Sequence, residues 1–224
     1  MKVAYFAESP ADQEALTILT ETILGRKTET VLHAGLRHRG WPTVRTVLPA
    51  VLKELHYHTD AEGFVLIVDS NGTPPHLSSH DAPDGSERQC RLCQLRRITD
   101  EALRKVRPRA ASPPLKVALG LAVPTIEAWL LCGVDPHVTE AAWISGLNEP
   151  RRGFMPYTKG GLKSQLYGTS HPSLVLETEK MRAAATRLSA DVSSLEKLFP
   201  HGFGALLKSL RAWEARNGLE RAAV

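Results

Sequence analysis

Short apolar runs alternate with amphipathic stretches along the first 134 residues. Apolar runs at residues 2–7, 64–68 and 115–123 predict buried strands, and a weaker alternation at residues 28–33 predicts another. Between them, helical spacing of apolar positions predicts helices that start near Ser9 and at residues 42, 90 and 124. Strands that alternate with helices in this way favour a mainly parallel sheet flanked by helices on both faces, an α/β fold.

The second part of the chain shows helical periodicity alone. Residues 160–167, 173–188, 192–198 and 203–217 each have the apolar spacing of a helix, while Gly, Pro, Asn and Arg cluster at residues 135–157. We therefore predict an α/β domain at residues 1–134 and a helical C-terminal region at residues 135–224 packed on it. Residues 73–89 have no periodicity and almost no apolar side chains, so they form an insert within the first domain.

Composition narrows the class of protein without naming a function. The 224 residues are 42% hydrophobic and 23% charged, with a formal charge of +4, as in an ordinary globular protein. No apolar run approaches the roughly 18 residues of a membrane span, and Glu8 comes too early for a signal peptide. Three cysteines are too few for a secreted disulfide framework. We expect a cytoplasmic protein that does not enter a membrane.

Acidic residues follow the predicted strands. Glu8 ends the first strand, Asp69 ends the third, and Glu127 lies in the first turn after the fourth, while Asp12 and Asn71 stand close behind the first two. Because parallel strands end at one edge of a sheet, these groups should converge there and bind Mg²⁺ or Mn²⁺ through oxygen atoms. Simpler explanations stay open: a helix cap for Asp12, a turn at residues 69–72, and a helix-dipole contact for Glu127.

A second candidate metal site has softer ligands. His76, His80, Cys90 and Cys93 fall within 18 residues and make a complete tetrahedral set for Zn²⁺. Such an ion would be structural, because the apolar-poor insert needs a staple in order to fold. Two free cysteines beside a flexible loop, or a redox Cys-x-x-Cys pair, would explain the same residues.

Positive charge is concentrated next to this second site. Residues 88–109 carry a net +6, more than the whole chain, and Arg151, Arg152, Lys159 and Lys163 could extend this charge. A basic stripe beside an acidic metal site suits a phosphate backbone, with Lys163 as a candidate phosphate contact. A solvated helix face would look similar. The candidate nucleic-acid contacts are Arg88, Arg91, Arg96, Arg97, Arg104 and Lys105.

Three motifs together resemble a known family. Residues 8–12, Glu-Ser-Pro-Ala-Asp, are similar to the first motif of the Toprim (topoisomerase–primase) domain, and residues 69–72 resemble its Asp-x-Asp motif. Residues 126–130, Ile-Glu-Ala-Trp-Leu, resemble a signature of poorly characterised prokaryotic Toprim-like proteins related to overcoming-lysogenisation-defect nucleases. Two departures stand out: Ser9 replaces the usual Gly, and Asn71 replaces the second Asp, which removes one negative charge.

The resemblance implies Mg²⁺ or Mn²⁺ held by Glu8, Asp12, Asp69 and Asn71, with Glu127 and Lys163 sharing the catalytic work. The expected function is a divalent-metal-dependent nuclease acting on DNA or RNA in a phage-defence setting, together with an operon-encoded protein partner. The alternative is a non-catalytic Toprim-derived subunit that binds nucleic acid or protein through a degenerate metal site, which Asn71 favours. Phosphoryl or nucleotidyl chemistry on a small substrate is a third candidate.

Overall fold

A four-stranded parallel sheet forms the centre of the protein in the computed structural model. The structure describes residues 1–31, 40–82, 84–85, 87–108, 113–148 and 157–222, with side chains as far as Trp213. The strands are β1 (Lys2–Phe6), β2 (Glu29–Thr30), β3 (Gly63–Asp69) and β4 (Lys116–Ala122), in the order β2-β1-β3-β4. All pairs are parallel, with Phe6 opposite Leu66 and Asp69 opposite Ala122. The predicted α/β class with a parallel sheet is confirmed.

Side chains of the central strands alternate between two apolar cores, one on each face of the sheet. Val3 and Tyr5 of β1 point into one core, and Ala4 and Phe6 point into the other. This alternation is the geometry of any β-strand, and both faces are apolar because helices cover both. The continuous apolar runs in the sequence therefore mark strands buried on two sides.

The helices follow the predicted order, with bounds that differ at some ends. They are α1 (Pro10–Leu24), α2 (Trp41–His58), α3 (Arg91–Arg104), α4 (Ile126–Leu130), α5 (Glu140–Asn148), α6 (Lys159–Tyr167), α7 (Leu174–Ser189), α8 (Val192–Leu198) and α9 (Gly202–Ala222). A short 3-10 helix at Ser78–Asp81 lies within the insert. The first helix has the predicted signals: Ser9 caps it, and Gly25 ends it in the left-handed conformation with φ of 61°.

Three helices and one strand differ from the sequence prediction. Helix α3 ends at Arg104 rather than at residue 107, and α4 begins at Ile126 rather than at residue 124. Helix α5 lies inside residues 135–157, where Gly, Pro and Asn predicted a boundary. Of the predicted second strand, residues 29–30 are a strand, Val31 continues its pairing with a hydrogen bond to Val3, and residues 32–33 lie outside the described part of the chain.

The helical C-terminal region completes one face of the sheet. Helix α7 packs along α1, and α9 packs on β4. Side chains from both parts of the chain share one core, where Trp129 of α4 meets Phe203 of α9 edge to face with ring centroids 5.3 Å apart. The chain order also creates a switch point: β1 leads outward to β2, whereas β3 leads to β4 on the opposite side. Crevices at such points, beyond the carboxyl ends of the strands, are the usual ligand sites of open α/β sheets.

Candidate functional site

Acidic side chains lie at this switch point, beyond the ends of β1, β3 and β4. Glu8 follows β1 and is exposed, Asp69 is the last residue of β3, and Glu127 lies in the first turn of α4 after β4. With Asp12 on α1 they form what we term the acidic edge. The four groups are close enough to interact: Glu8 and Glu127 both raise the pKa of Asp69, and Asp69 and Glu127 raise that of Asp12. The structure thus gathers the carboxylates that the sequence singled out.

Asp69 is the most closely surrounded of these carboxylates. Its Oδ1 accepts the Ile126 N–H at 3.2 Å, and its Oδ2 lies 3.1 Å from the Lys159 ammonium. The same ammonium donates to Asn71 Oδ1 at 3.2 Å, so Lys159 bridges the two polar residues at the end of β3. Burial raises the pKa of Asp69 to about 7, although Lys159 acts in the opposite direction. A carboxyl group with a pKa near neutral pH suits proton transfer or cation binding.

Glu127 is buried, with 4% of its surface exposed. Lys163 approaches its Oε1 at 3.6 Å, and the Tyr167 hydroxyl donates to the same oxygen at 3.4 Å. Burial and the nearby Glu127 carboxylate raise the pKa of Tyr167, which keeps the hydroxyl protonated as a donor. A buried carboxylate is costly unless it is compensated, and α6 supplies both compensating groups.

Asp12 combines a local and a tertiary role. Its Oδ2 accepts the Ser9 N–H at 3.0 Å and its own N–H donates to Ser9 Oγ at 3.1 Å, which completes a capping box at the start of α1. Burial and the neighbouring Asp69 and Glu127 carboxylates raise its pKa to about 8. The helix-cap explanation of Asp12 is therefore realised, and its carboxyl group also faces the acidic edge.

The four ligands of the second candidate site come together as a compact group, here the His/Cys cluster. The ligand atoms of His76, His80, Cys90 and Cys93 all lie within 4.8 Å of one another. Nδ1 of His76 is 3.7 Å from Cys90 Sγ and 3.6 Å from Cys93 Sγ, and Cys93 Sγ is 3.7 Å from His80 Nδ1. Nitrogen and sulfur ligands around one tetrahedral zinc ion lie about 3.6 Å apart. The cluster could therefore hold a metal ion such as zinc.

A second layer of side chains orients His76. Its Nε2 lies 3.1 Å from Asp81 Oδ1, which leaves Nδ1 for the thiols, and Arg96 donates to the same carboxylate. A carboxylate behind a ligating histidine is the usual way in which proteins fix the ring. Burial, with the nearby Arg96 charge, lowers the pKa of His76 to about 4, so the ring is neutral at pH 7 as metal binding requires. Sequence reasoning missed this role of Asp81.

Among the described residues, the His/Cys cluster is the one group of three or more His, Cys, Asp or Glu side chains with this compactness. The carboxylates of the acidic edge are more widely spaced. Mg²⁺ and Mn²⁺ tolerate such spacing, because they take one or two carboxylates and fill the remaining positions with water and substrate oxygen atoms.

Arg91 connects the two sites. It follows the ligand Cys90 directly, begins α3, and donates from its guanidinium to the main-chain oxygen of Asp69. Its guanidinium carbon also lies 5.4 Å from the ring centroid of Trp41, in cation–π contact. The carboxylates of Asp69 and Glu8 favour its charged form, whereas burial lowers its pKa.

The other predicted nucleic-acid contacts divide into two groups. Arg96 turns toward Asp81, as described above. The remaining four basic side chains are exposed along α3 and its flanks, namely Arg88, Arg97, Arg104 and Lys105. The basic stripe is thus a solvated surface beside the His/Cys cluster, with Arg91 alone among the six turned toward the acidic edge.

Comparisons with known proteins add no family to this description. No protein-family model, no curated protein and no solved structure matches the chain. Within the described residues, no helix combines the length and the apolar character needed to cross a membrane.

Proposed function

We propose that this protein hydrolyses phosphodiester bonds of nucleic acid at the acidic edge, with Mg²⁺ or Mn²⁺ as cofactor. The observation that carries the proposal is the convergence of Glu8, Asp69 and Glu127 from three separate strand ends at the switch point of the sheet. Clustered carboxylates are stabilised by a bound cation, and their oxygen atoms are ligands that Mg²⁺ and Mn²⁺ accept.

The residues present can share the work of such a reaction. Glu8 and Asp69 would hold the cation, whereas the oxygen of Asn71, the other predicted ligand, already accepts from Lys159. A divalent ion bound there would supply an activated water and charge neutralisation for the departing oxygen. Lys163 and Arg91 would contact the phosphate, because each places a cation beside the acidic edge. The exposed arginines of α3 would guide the polyanion toward it.

The likeness of residues 8–12, 69–72 and 126–130 to Toprim motifs supports the same assignment. Residues 8–12 follow β1 and start α1, residues 69–72 begin at the last residue of β3, and residues 126–130 form α4 after β4, so all three lie at the carboxyl ends of strands. On that likeness we propose a Toprim-like nuclease that works in phage defence, in the cytoplasm and with an operon-encoded partner.

We further propose that the His/Cys cluster binds zinc and that this ion is structural. Cys90 caps α3 and Cys93 lies in its first turn, so an ion held by both would tie the start of α3 to the insert through His76 and His80. The insert contributes one short 3-10 helix and exposes Leu77, so it has little apolar burial of its own. A tetrahedral zinc site supplies the missing folding free energy.

One observation favours a second candidate, a non-catalytic subunit that binds nucleic acid or protein. Lys159 already neutralises Asp69 and occupies Asn71, so the end of β3 is electrostatically satisfied without a metal ion. In that case the basic surface of α3 would bind its partner and the acidic edge would do no chemistry.

Cleavage by purified protein separates the two candidates. Zinc-loaded protein should cut DNA or RNA when Mg²⁺ or Mn²⁺ is added, and Glu8→Gln should reduce cutting to background, since Glu8 would lose its charge as a ligand. The control is Glu179→Gln, the same change at an exposed position of α7, which should cut normally. Equal cutting by wild type and Glu8→Gln would reject the site. If the protein binds nucleic acid through α3 but cuts neither DNA nor RNA, the result would favour the non-catalytic subunit.

A further inference from the structure

The ammonium group of Lys159 bridges two polar side chains at the end of β3. Its Nζ lies 3.1 Å from Asp69 Oδ2 and 3.2 Å from Asn71 Oδ1, two oxygen atoms of the kind that Mg²⁺ and Mn²⁺ accept as ligands. The lysine side chain is 44% exposed and that of Asp69 is 12% exposed. The contact is therefore partly open to solvent on the lysine side.

The charges of this trio cancel. Asp69 contributes one negative charge, Asn71 contributes none and Lys159 contributes one positive charge. An aspartate at position 71 would have left a surplus negative charge for a divalent ion to neutralise. The neutral residue at 71 and the lysine opposite it are two separate features, one of the sequence and one of the tertiary structure, and both weaken this position for a second metal ion.

Lys159 occupies a helix position that is unfavourable for a positive charge. It is the first residue of α6, whose N-terminus carries partial positive charge, so a cation there is disfavoured by the helix dipole. The Asp69 carboxylate, 3.1 Å from its ammonium, compensates for this unfavourable position. The placement of Lys159 is therefore explained by this carboxylate of the acidic edge.

We propose that Lys159 is the resident cation of the Asp69–Asn71 position, so that the acidic edge takes one divalent ion rather than two. Enzymes that cut phosphodiesters with two metals place them roughly 3.5–4 Å apart and clamp both reacting oxygen atoms. Here one clamp would be a metal ion on the Glu8 side, and the other would be the lysine ammonium. This inference rests on the proposed function for the first ion, whereas the exclusion of a second ion is tested separately.

The experiment counts Mn²⁺ ions bound to zinc-loaded protein, using the electron paramagnetic resonance signal of free Mn²⁺. The test variant combines Lys159→Met with Asn71→Asp, which removes the resident cation and adds a carboxylate. Asn71 has a φ of 46°, and aspartate also adopts this left-handed conformation readily, so the backbone should be kept. The matched control is Asn71→Asp alone, which adds the charge but keeps the lysine. Circular dichroism checks that all three proteins fold.

We expect one bound Mn²⁺ in wild type, one in Asn71→Asp and two in the double variant. The gain of one ion on removal of Lys159 is the result that supports the inference. Equal counts in Asn71→Asp and the double variant would overturn it, as would two ions in wild type. If wild type binds none and the double variant binds one, the proposed metal-dependent function fails while the role of Lys159 stands, so the two failures are distinguishable.

Discussion

Glu140, at the start of α5, links the pH of the solution to the stability of the fold. Its side chain is fully buried, and its two carboxylate oxygens accept the main-chain N–H groups of His201 at 2.8 Å and Gly202 at 2.9 Å. These donors stand at the beginning of α9, the helix that packs on β4. Burial raises the pKa of Glu140 to about 7, although both hydrogen bonds act to lower it. Glutamate in the unfolded chain titrates near 4.5.

The sign of the effect follows from these two values. Between about pH 4.5 and pH 7 the folded protein keeps a proton that the unfolded chain has released, so raising the pH favours unfolding. A difference of about 2.5 units at 1.36 kcal/mol per unit makes the full loss of stability on the order of 3 kcal/mol. Roughly 2 kcal/mol of it falls between about pH 5 and pH 8, because part of the loss precedes pH 5.

Urea unfolding of wild type and Glu140→Gln at both pH values measures this contribution. The glutamine removes the titrating group but keeps a carbonyl oxygen for one N–H, and the cost of the other hydrogen bond is independent of pH. We expect wild type to lose roughly 2 kcal/mol more than the variant on going from pH 5 to pH 8. Both proteins share every other titrating group. One of these is Tyr157, whose pKa is raised by burial and by the nearby Glu140 carboxylate. The same pH dependence in both proteins would refute the reasoning.

Three further changes test other parts of the structure. Cys93→Ser should lower the zinc content of purified protein, measured by elemental analysis, from near one ion to less than about 0.2 per chain. A wild-type protein that itself holds less than about 0.2 zinc per chain would reject the zinc site. Arg97→Glu with Arg104→Glu should weaken DNA binding and reduce the salt dependence of the binding constant by roughly two phosphate contacts, whereas an unchanged slope would place the nucleic acid elsewhere. Ser9→Ala should destabilise the protein by about 1 kcal/mol in thermal unfolding, because α1 loses its cap. An unchanged free energy of unfolding would contradict a stabilising role of the capping box.

The strands and the first helix could be predicted because their signals are local. The run ending in Asp69 is apolar without interruption, as both faces of its strand are covered, and Ser9 and Gly25 mark the two ends of α1. Helix α5 could not be predicted in this way. Only Glu140 and Trp143 are buried in it, so it lacks the apolar stripe that identifies a helix, and its most buried group is a carboxylate.

The residues of the two candidate sites could be predicted from the sequence to different degrees. The ligands of the His/Cys cluster lie within 18 residues, and the Cys-x-x-Cys spacing alone brings two of them to one turn of α3. The orientation of the Arg96 side chain could not be predicted from the sequence, because an arginine on a basic helix is expected to be a surface charge until its partner is known. That partner is Asp81, a residue of the insert whose position depends on how the insert folds.

Lys159 illustrates what a motif leaves undetermined. The pattern of residues 69–72 names two oxygen-bearing side chains, Asp69 and Asn71, but the number of cations that such a pair can accept depends on the charge opposite them. That charge comes from α6, 90 residues beyond Asp69 in the chain, and it reaches the acidic edge because α6 packs against α4 and α7. A neutral asparagine by itself would suggest a degenerate site. Asparagine together with a bridging lysine describes a balanced one, because the Lys159 ammonium offsets the single remaining carboxylate, that of Asp69. Under our proposal a divalent ion is then left to the Glu8 side of the acidic edge.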